Sequence, residues 1–304
     1  KVKKPEERPK EIKKEVEKPK PKKEAKPEQS TMPMENKSVK KETKKSVTKK
    51  AKVPEKRKPD LEDDQGFKGR RPQVDPYRVG EKVIMSVTYF NMAAGDIVFK
   101  VMPFVEVNNR KSYHFWVGLK SSKVFSYFYA VDDEAETFLD FEELVPSTYK
   151  IKVRHSTEVK DVRSFFDNDE LKATYWRRKI DKEGKEENKK KVWDLDPYAQ
   201  NVISALFYLR NFQLEPKKEL AFRVADAGKN MVFTAKVLKR ETIETEIGEL
   251  KTILVSPKIS MDGVFKQMGD IKIWLTDDER KIPVKIEAKI KIGTLVFKIK
   301  ELVR

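Results

Sequence analysis

The sequence predicts a mostly β fold: a curved antiparallel sheet or incomplete β-barrel packed around one central helix, preceded by a disordered tail rich in Lys, Glu and Pro. Three observations carry this. Aromatic residues are absent from residues 1–60 and confined to the rest of the chain. Short stretches in which apolar and charged residues alternate recur from about residue 80 to the end. One segment, 194–212, instead carries apolar residues at helical spacing.

The tail comes first. Residues 1–60 hold 23 Lys or Arg against 11 Asp or Glu, a net +12 of the total +17. Such a segment buries too little apolar surface to offset chain entropy and is expected to be disordered. The expected boundary makes 1–72 a charged linker or tether and 73–304 a single β-rich domain, with ample material for one core. "EKPKPKKEAKPEQ" (17–29) resembles the Pro/Lys/Glu spacers of TonB-like proteins that cross the periplasm. At the extended dimensions of such chains the tail reaches on the order of 100 Å. A solubilising extension is the alternative. Nucleic acid is not an expected partner, because Glu interleaves the Lys and no aromatic is present for base stacking.

The strands follow in order. "EKVIMSVTYFN" sets Val83, Met85, Val87 and Tyr89 on one face, and "AAGDIVFKVMPFVEV" returns as its hairpin partner. "SYHFWVGLKSS", "FYAVDDEAETFLD", "STYKIKVRH" and "ELKATYWRRKI" continue the pattern, with a turn placed at Pro146. "ELAFRVAD", "NMVFTAKVLKRETIET", "GELKTILVSPKI" and "DIKIWLTDD" come next, then two strands near 283–291 and 294–302. Alternation of this kind marks antiparallel sheet with one wet face.

"DLDPYAQNVISALFYLRNF" (194–212) predicts a helix of roughly four turns, with Asp196 as N-cap and Pro197 in the first turn. Its apolar face would be Val202, Ile203, Leu206, Phe207, Leu209 and Phe212. A shorter helical turn is expected within 121–129. No apolar run approaches the length of a membrane span. A signal peptide or lipid anchor upstream of Lys1 is an expectation that this stretch leaves open.

The stretches "RVGEKVIMSVTYFNMAAGDIVFKV", "VFSYFYAVDDEAETFLD", "PYAQNVISALFYLRN" and "IWLTDDERKIPVKIEAKIKIGTL" resemble the bacterial domain-of-unknown-function family 3108 over roughly residues 77–304. The resemblance implies an exported protein, periplasmic or envelope-associated in a Gram-negative bacterium. It implies no activity and no catalytic residue. The architecture is also similar to the half-barrel carriers of lipids and lipoproteins in the periplasm.

Candidate sites are few. The chain has no Cys, and no histidine spacing for zinc, phosphate loop or nucleophile elbow occurs. His114 and His155 are expected to be ordinary sheet residues. Neither catalytic, metal nor cofactor residues are assigned, and the protein is expected not to be an enzyme. Asp277-Asp278-Glu279-Arg280 reads as a solvated turn, since Asp favours turn starts by bonding the local backbone. Arg280 is expected to pair with Asp277, Asp278 or Glu279. The same structural reading applies to Asp132-Asp133-Glu134, although their position after an aromatic run makes them the better candidate for the rim of a ligand mouth.

The aromatic cluster suits either core packing or an apolar pocket between sheet and helix, lined by Phe115, Phe125, Phe128, Leu206 and Phe207. A basic surface is expected at Lys150, Lys152, Arg154, Arg177 and Arg178, continuing to Lys179. The leading functional expectation is a non-enzymatic envelope protein that binds or carries a lipid or lipoprotein. The alternative is a scaffold or adaptor for outer-membrane or cell-wall partners without a small ligand.

Overall fold

The computed structural model describes residues 67–68, 70–261, 264–265, 270–290 and 293–303. The tail expected over 1–72 lies, for its first 66 residues, outside the described residues. Arg70 and Arg71 are described and engage the helix and the sheet respectively. Arg70 donates to the Tyr208 hydroxyl at 3.0 Å, and Arg71 donates to the Tyr113 hydroxyl at 3.0 Å.

Fourteen strands form one antiparallel sheet. They are β1 (Lys82–Tyr89), β2 (Met92–Val107), β3 (Arg110–Ser121), β4 (Asp132–Asp140), β5 (Pro146–Arg154), β6 (Glu158–Asp167) and β7 (Lys172–Asp181). Then follow β8 (Glu186–Asp194), β9 (Glu219–Asp226), β10 (Lys229–Thr245), β11 (Gly248–Met261), β12 (Ile271–Thr276), β13 (Pro283–Ile290) and β14 (Gly293–Val303). A two-residue strand, Val264–Phe265, pairs with the end of β11.

The chain enters mid-sheet. β1 pairs with β2 on one side and with β14, the last strand, on the other. Two antiparallel meanders run outward from that centre and finish at edges β8 and β9. Register shifts interrupt several ladders, for example between Met102 and Val105 and between Ile299 and Glu301. Bulges of this kind bend strands and increase twist, so the sheet curls. It does not close: among the described residues no ladder joins β8 to β9. The fold is therefore a mostly β, curved and incomplete barrel, as the alternation predicts.

Two strands, β6 and β8, were not expected from the sequence. Pro146 is the first residue of β5 rather than part of a turn, a position where its missing N–H is tolerated.

The central helix is shorter than predicted. The regular helix α2 spans Ser204–Tyr208, and a 3-10 turn, Leu209–Asn211, extends it. Asp196 does not cap it and Pro197 does not start it. The reason lies in the sheet's open seam. Gln200 forms a parallel bridge with β9, its N–H donating to Arg223 O and its carbonyl accepting from Ala225 N–H. Backbone groups used to patch the sheet are not available for a helix. Helical geometry starts only after Asn201, whose Oδ1 accepts from the N–H groups of Ile203 and Ser204.

The helix plugs one end of the curl. Phe207, Tyr208, Leu209 and Phe212 are buried among Met85, Phe115, Phe222, Ile253 and Leu275 in the main core. A second, smaller core beside the seam gathers Tyr149, Val162, Phe166, Tyr175, Leu195 and Ala199. The turn expected within 121–129 exists as α1 (Lys123–Ser126).

Candidate functional site

The motif residues of the plug and the Asp277–Arg280 turn meet at a buried ion cluster. Arg210 and Glu81 are essentially solvent-free. Arg210 donates to Glu81 Oε1 at 2.7 Å and Oε2 at 2.9 Å, to Pro76 O at 2.9 Å, and to Arg280 O at 2.8 Å. The Arg280 guanidinium adds a third contact to the same carboxylate. Arg280 thus pairs with Glu81, not with its neighbours in the turn as expected. One carboxylate and two carbonyls together satisfy the Arg210 guanidinium that burial would otherwise penalise. The two aspartates of the turn have structural partners of their own. Asp278 Oδ1 accepts from Thr276 Oγ1, Arg280 N–H and Lys281 N–H, while Asp277 accepts both contacts of Arg240 Nε. A surface cavity of about 450 Å³ lies against this turn, lined by Gln73, Leu214, Arg240, Asp277 and Lys281 among others.

The five residues expected to line an apolar pocket do not share one space. Phe115 and Phe207 are buried and stack on each other with ring centroids 4.1 Å apart. Leu206 is half-buried against the same core. Phe125 is half-buried, and Phe128 is 84% exposed. The cause is local. Ser122 caps α1 by accepting from Phe125 N–H and ties it to β2 by donating to Ala93 O. That holds the turn outside the curl.

The basic residues fare differently. Cross-strand pairing sets Lys150, Arg163, Trp176 and Lys190 in one row on the outer face of β5–β8. Lys152, Asp161, Arg178 and Asn188 form the next outward row. Together these rows line a cavity of about 550 Å³. Between them, Ile151, Val162, Arg177 and Lys189 send side chains to the opposite face and floor the groove with main chain. Lys152 pairs with Glu134 at 3.3 Å and Arg178 with Glu186 at 2.8 Å. Lys150, Arg163 and Lys190 have no carboxylate at ion-pair distance among the described residues. Lys150 and Lys190 sit over the rings of Phe138 and Trp176 instead. Arg154 lies outside the groove and pairs with Asp161 at its edge. A third row, toward the plugged end, exposes Phe165 and Val192, with Phe165 edge-on to Trp176. Basic and apolar rows thus lie side by side. Lys179 faces the other way, where it and Lys160 hold Glu158 down at about 2 by hydrogen bonding, Lys160 first.

Both histidines have carboxylate partners that spacing alone did not disclose. His114 Nε2 is 3.5 Å from Glu136, and burial lowers the His114 pKa. His155 Nε2 is 2.9 Å from Asp133, and its Nδ1 is 3.0 Å from the Tyr129 hydroxyl. The order carboxylate, imidazole, hydroxyl is that of a hydrolytic relay. Here, however, Asp133 also accepts Arg154 N–H and Tyr129 reaches Thr157, so the group pins two neighbouring connections together. Asp133 is therefore a bracing residue. Inside the curl, Tyr149 of β5 donates to Asp226 of β9, and burial raises the pKa of both. Among the described residues no group of His, Asp and Glu is arranged to hold a metal.

No curated protein matches the chain. Among solved structures, a β-barrel-like protein of domain of unknown function DUF1849 from Brucella abortus aligns with TM-score 0.43 and 14% identity, over 74% of this chain and 97% of that one. A candidate exported protein with a YmcC-like fold from Bacteroides fragilis aligns with TM-score 0.32 and 8% identity, over 75% and 98%. A candidate lipoprotein from Parabacteroides distasonis aligns with TM-score 0.30 and 10% identity, over 74% and 96%. A family model matches residues 85–300, which include the plug, the Asp277–Arg280 turn and the whole basic groove. The chain belongs to the family of proteins of unknown function DUF3108.

Proposed function

We propose that the protein is a non-enzymatic binding module of the bacterial envelope that holds an anionic amphiphile, a lipid or lipoprotein headgroup, in the outer groove of β5–β8. The observation that carries this reading is the juxtaposition in that groove. Three cations without carboxylate partners among the described residues, Lys150, Arg163 and Lys190, line it beside an exposed apolar row containing Phe165 and Val192. Unpaired cations on a sheet face favour an anion, and the adjoining apolar strip favours one that carries hydrocarbon. Phe115 and Phe207, expected to line an interior pocket, stack on each other instead, which favours the outer groove.

The test is titration of the full chain with short-chain phosphatidylglycerol and with short-chain phosphatidylcholine below their micelle concentrations, followed by Trp fluorescence. Saturable binding of the anionic lipid is expected, with weaker binding of the zwitterionic one. Lys150→Glu with Arg163→Glu should weaken anionic-lipid binding by roughly tenfold or more, at about 1 kcal/mol per charge near an anionic headgroup. Equal affinity for the two lipids, or no effect of the double substitution, would remove this reading.

A further inference from the structure

The end of the sheet opposite the plug carries a second, unrelated feature. Five large apolar side chains stand out from its connections: Phe90 is 65% exposed, Met92 57%, Val124 71%, Tyr127 90% and Phe128 84%. Topology brings them together. Phe90 and Met92 flank the β1–β2 turn, and α1 hangs from β2 at Ala93 and Ala94 through Ser122. Gly293, the first residue of β14, joins the same group, since the ring of Phe90 packs beside it. By contrast, in the connections at the plugged end, Val74, Val79, Val202 and Ile247 are each less than half exposed.

We propose that this rim docks on an anionic bilayer, setting Phe90, Met92, Val124, Tyr127 and Phe128 into its interfacial layer. The inference goes beyond the groove on β5–β8 and does not depend on it. Shape argues for lipid. The apolar residues stand out from two separate connections, each residue more than half exposed, and fluid acyl chains accommodate side chains presented in this way. Residue type agrees, since aromatic side chains favour the boundary between headgroups and hydrocarbon. Charge agrees as well. Lys123 on α1 and Lys289 near the end of β13 are exposed and have no ion pair among the described residues, so they can face anionic headgroups. The apolar side chains are also held outward. Ser126 donates to Ser122 O at 2.8 Å, and Tyr129 is fixed to His155 and Thr157, so α1 cannot fold its apolar side chains back onto the sheet without losing these bonds.

The experiment is co-sedimentation of the full chain with vesicles of phosphatidylcholine, with and without phosphatidylglycerol. Binding is expected to the mixed vesicles, and Tyr127→Ser with Phe128→Ser should lower it by roughly tenfold. Both side chains are exposed, so the thermal unfolding of that variant should match the parent and exclude misfolding as the cause. In a Phe128→Trp variant, emission should shift to the blue on vesicles and be quenched by brominated acyl chains. Lys150→Glu with Arg163→Glu should leave that quenching in place, which separates the rim from the groove. Unchanged sedimentation of the Ser variant, or emission of the Phe128→Trp variant untouched by brominated lipid, would overturn the proposal. So would self-association that the Ser substitutions abolish, which would assign the rim to a second copy of the chain.

Discussion

At the plugged end of the strands, the chain buries charge and uses hydrogen bonds to do so; at the rim, it exposes hydrocarbon and uses hydrogen bonds to keep it exposed. The plugged end uses Glu81, Arg210 and Arg280 to lock the sheet entry, the helix and the β12–β13 turn into one network. Tyr77 adds its hydroxyl to Phe207 O at 2.8 Å, and Asn211 donates to that hydroxyl at 2.7 Å. At the rim the same kind of polar fastening, Ser122 on Ala93 and Tyr129 on His155, holds a turn away from the core. Polar contacts therefore do two jobs in this fold. One makes the sheet stable without closure, and the other presents a surface.

The sharpest way to break that comparison is at Glu81. Glu81→Gln keeps the shape but leaves Arg210 buried beside Arg280 without its counter-charge, and should lower stability by about 3–5 kcal/mol. Urea unfolding would check this, and a loss under about 1 kcal/mol would mean that the cluster is incidental. Phe207→Ala, which removes the ring stacked on Phe115, should cost about 3–5 kcal/mol, whereas Leu206→Ala should cost less because Leu206 is only half-buried. Equal losses at the two positions would mean that the plug is seated differently.

The turn sharpens the contrast at intermediate size. Asp278→Ala removes an acceptor used by one side chain and two backbone N–H groups, and should cost about 1–2 kcal/mol. Asp277→Ala breaks a largely exposed pair with Arg240 and should cost under about 1 kcal/mol. At the rim, Phe128→Ser should move stability by less than about 0.5 kcal/mol. A large loss there would show that α1 belongs to the core after all.

How much of this was legible beforehand depends on whether one face of an element is wet. β1 and β5 announce themselves because Val83, Met85 and Val87, or Tyr149 and Ile151, face the interior while their neighbours face water. β8 does not, since "EENKKKVWD" is exposed or half-exposed throughout and shows no buried period. β6 is blurred by Phe165 on its outer face and Ser164 on its inner one. The spacing over 196–203 is helical and extends the predicted helix too far, yet Gln200 bridges an unpaired sheet edge instead. The partner of Arg280 lies 199 residues away in Glu81, and no local pattern carries that information. The basic stripe was visible as alternation, but the groove that it lines needed β8 to be recognised as a strand. Phe128 was misleading for a different reason. An aromatic in a cluster resembles core, and only the Ser122 tether shows that it is held out.

The smallest expected effect concerns the seam, where the two edges of the sheet come closest and where closure is supplied by side chains. Asp226 on β9 accepts from Tyr149 of β5, inside the curl, and Trp193 of β8 donates to Asn230 of β10 at 3.2 Å. Burial raises the Asp226 pKa above its ordinary value of 3.8, against the lowering contributions of the Tyr149 hydroxyl, Ala227 N–H and Lys191. A carboxyl whose folded-state pKa is raised binds its proton more tightly in the folded chain than in the unfolded one. Stability is therefore reduced above the raised value and recovers as pH falls through it toward 3.8. Asp226→Asn keeps an acceptor for Tyr149 and removes the charge. It should be slightly more stable than the parent at neutral pH, with the advantage shrinking steadily in acid and gone near pH 3.8. Unfolding midpoints of the two proteins across that range would show converging curves. Parallel curves would mean that solvent reaches Asp226, and that the seam is looser than the plugged end it adjoins.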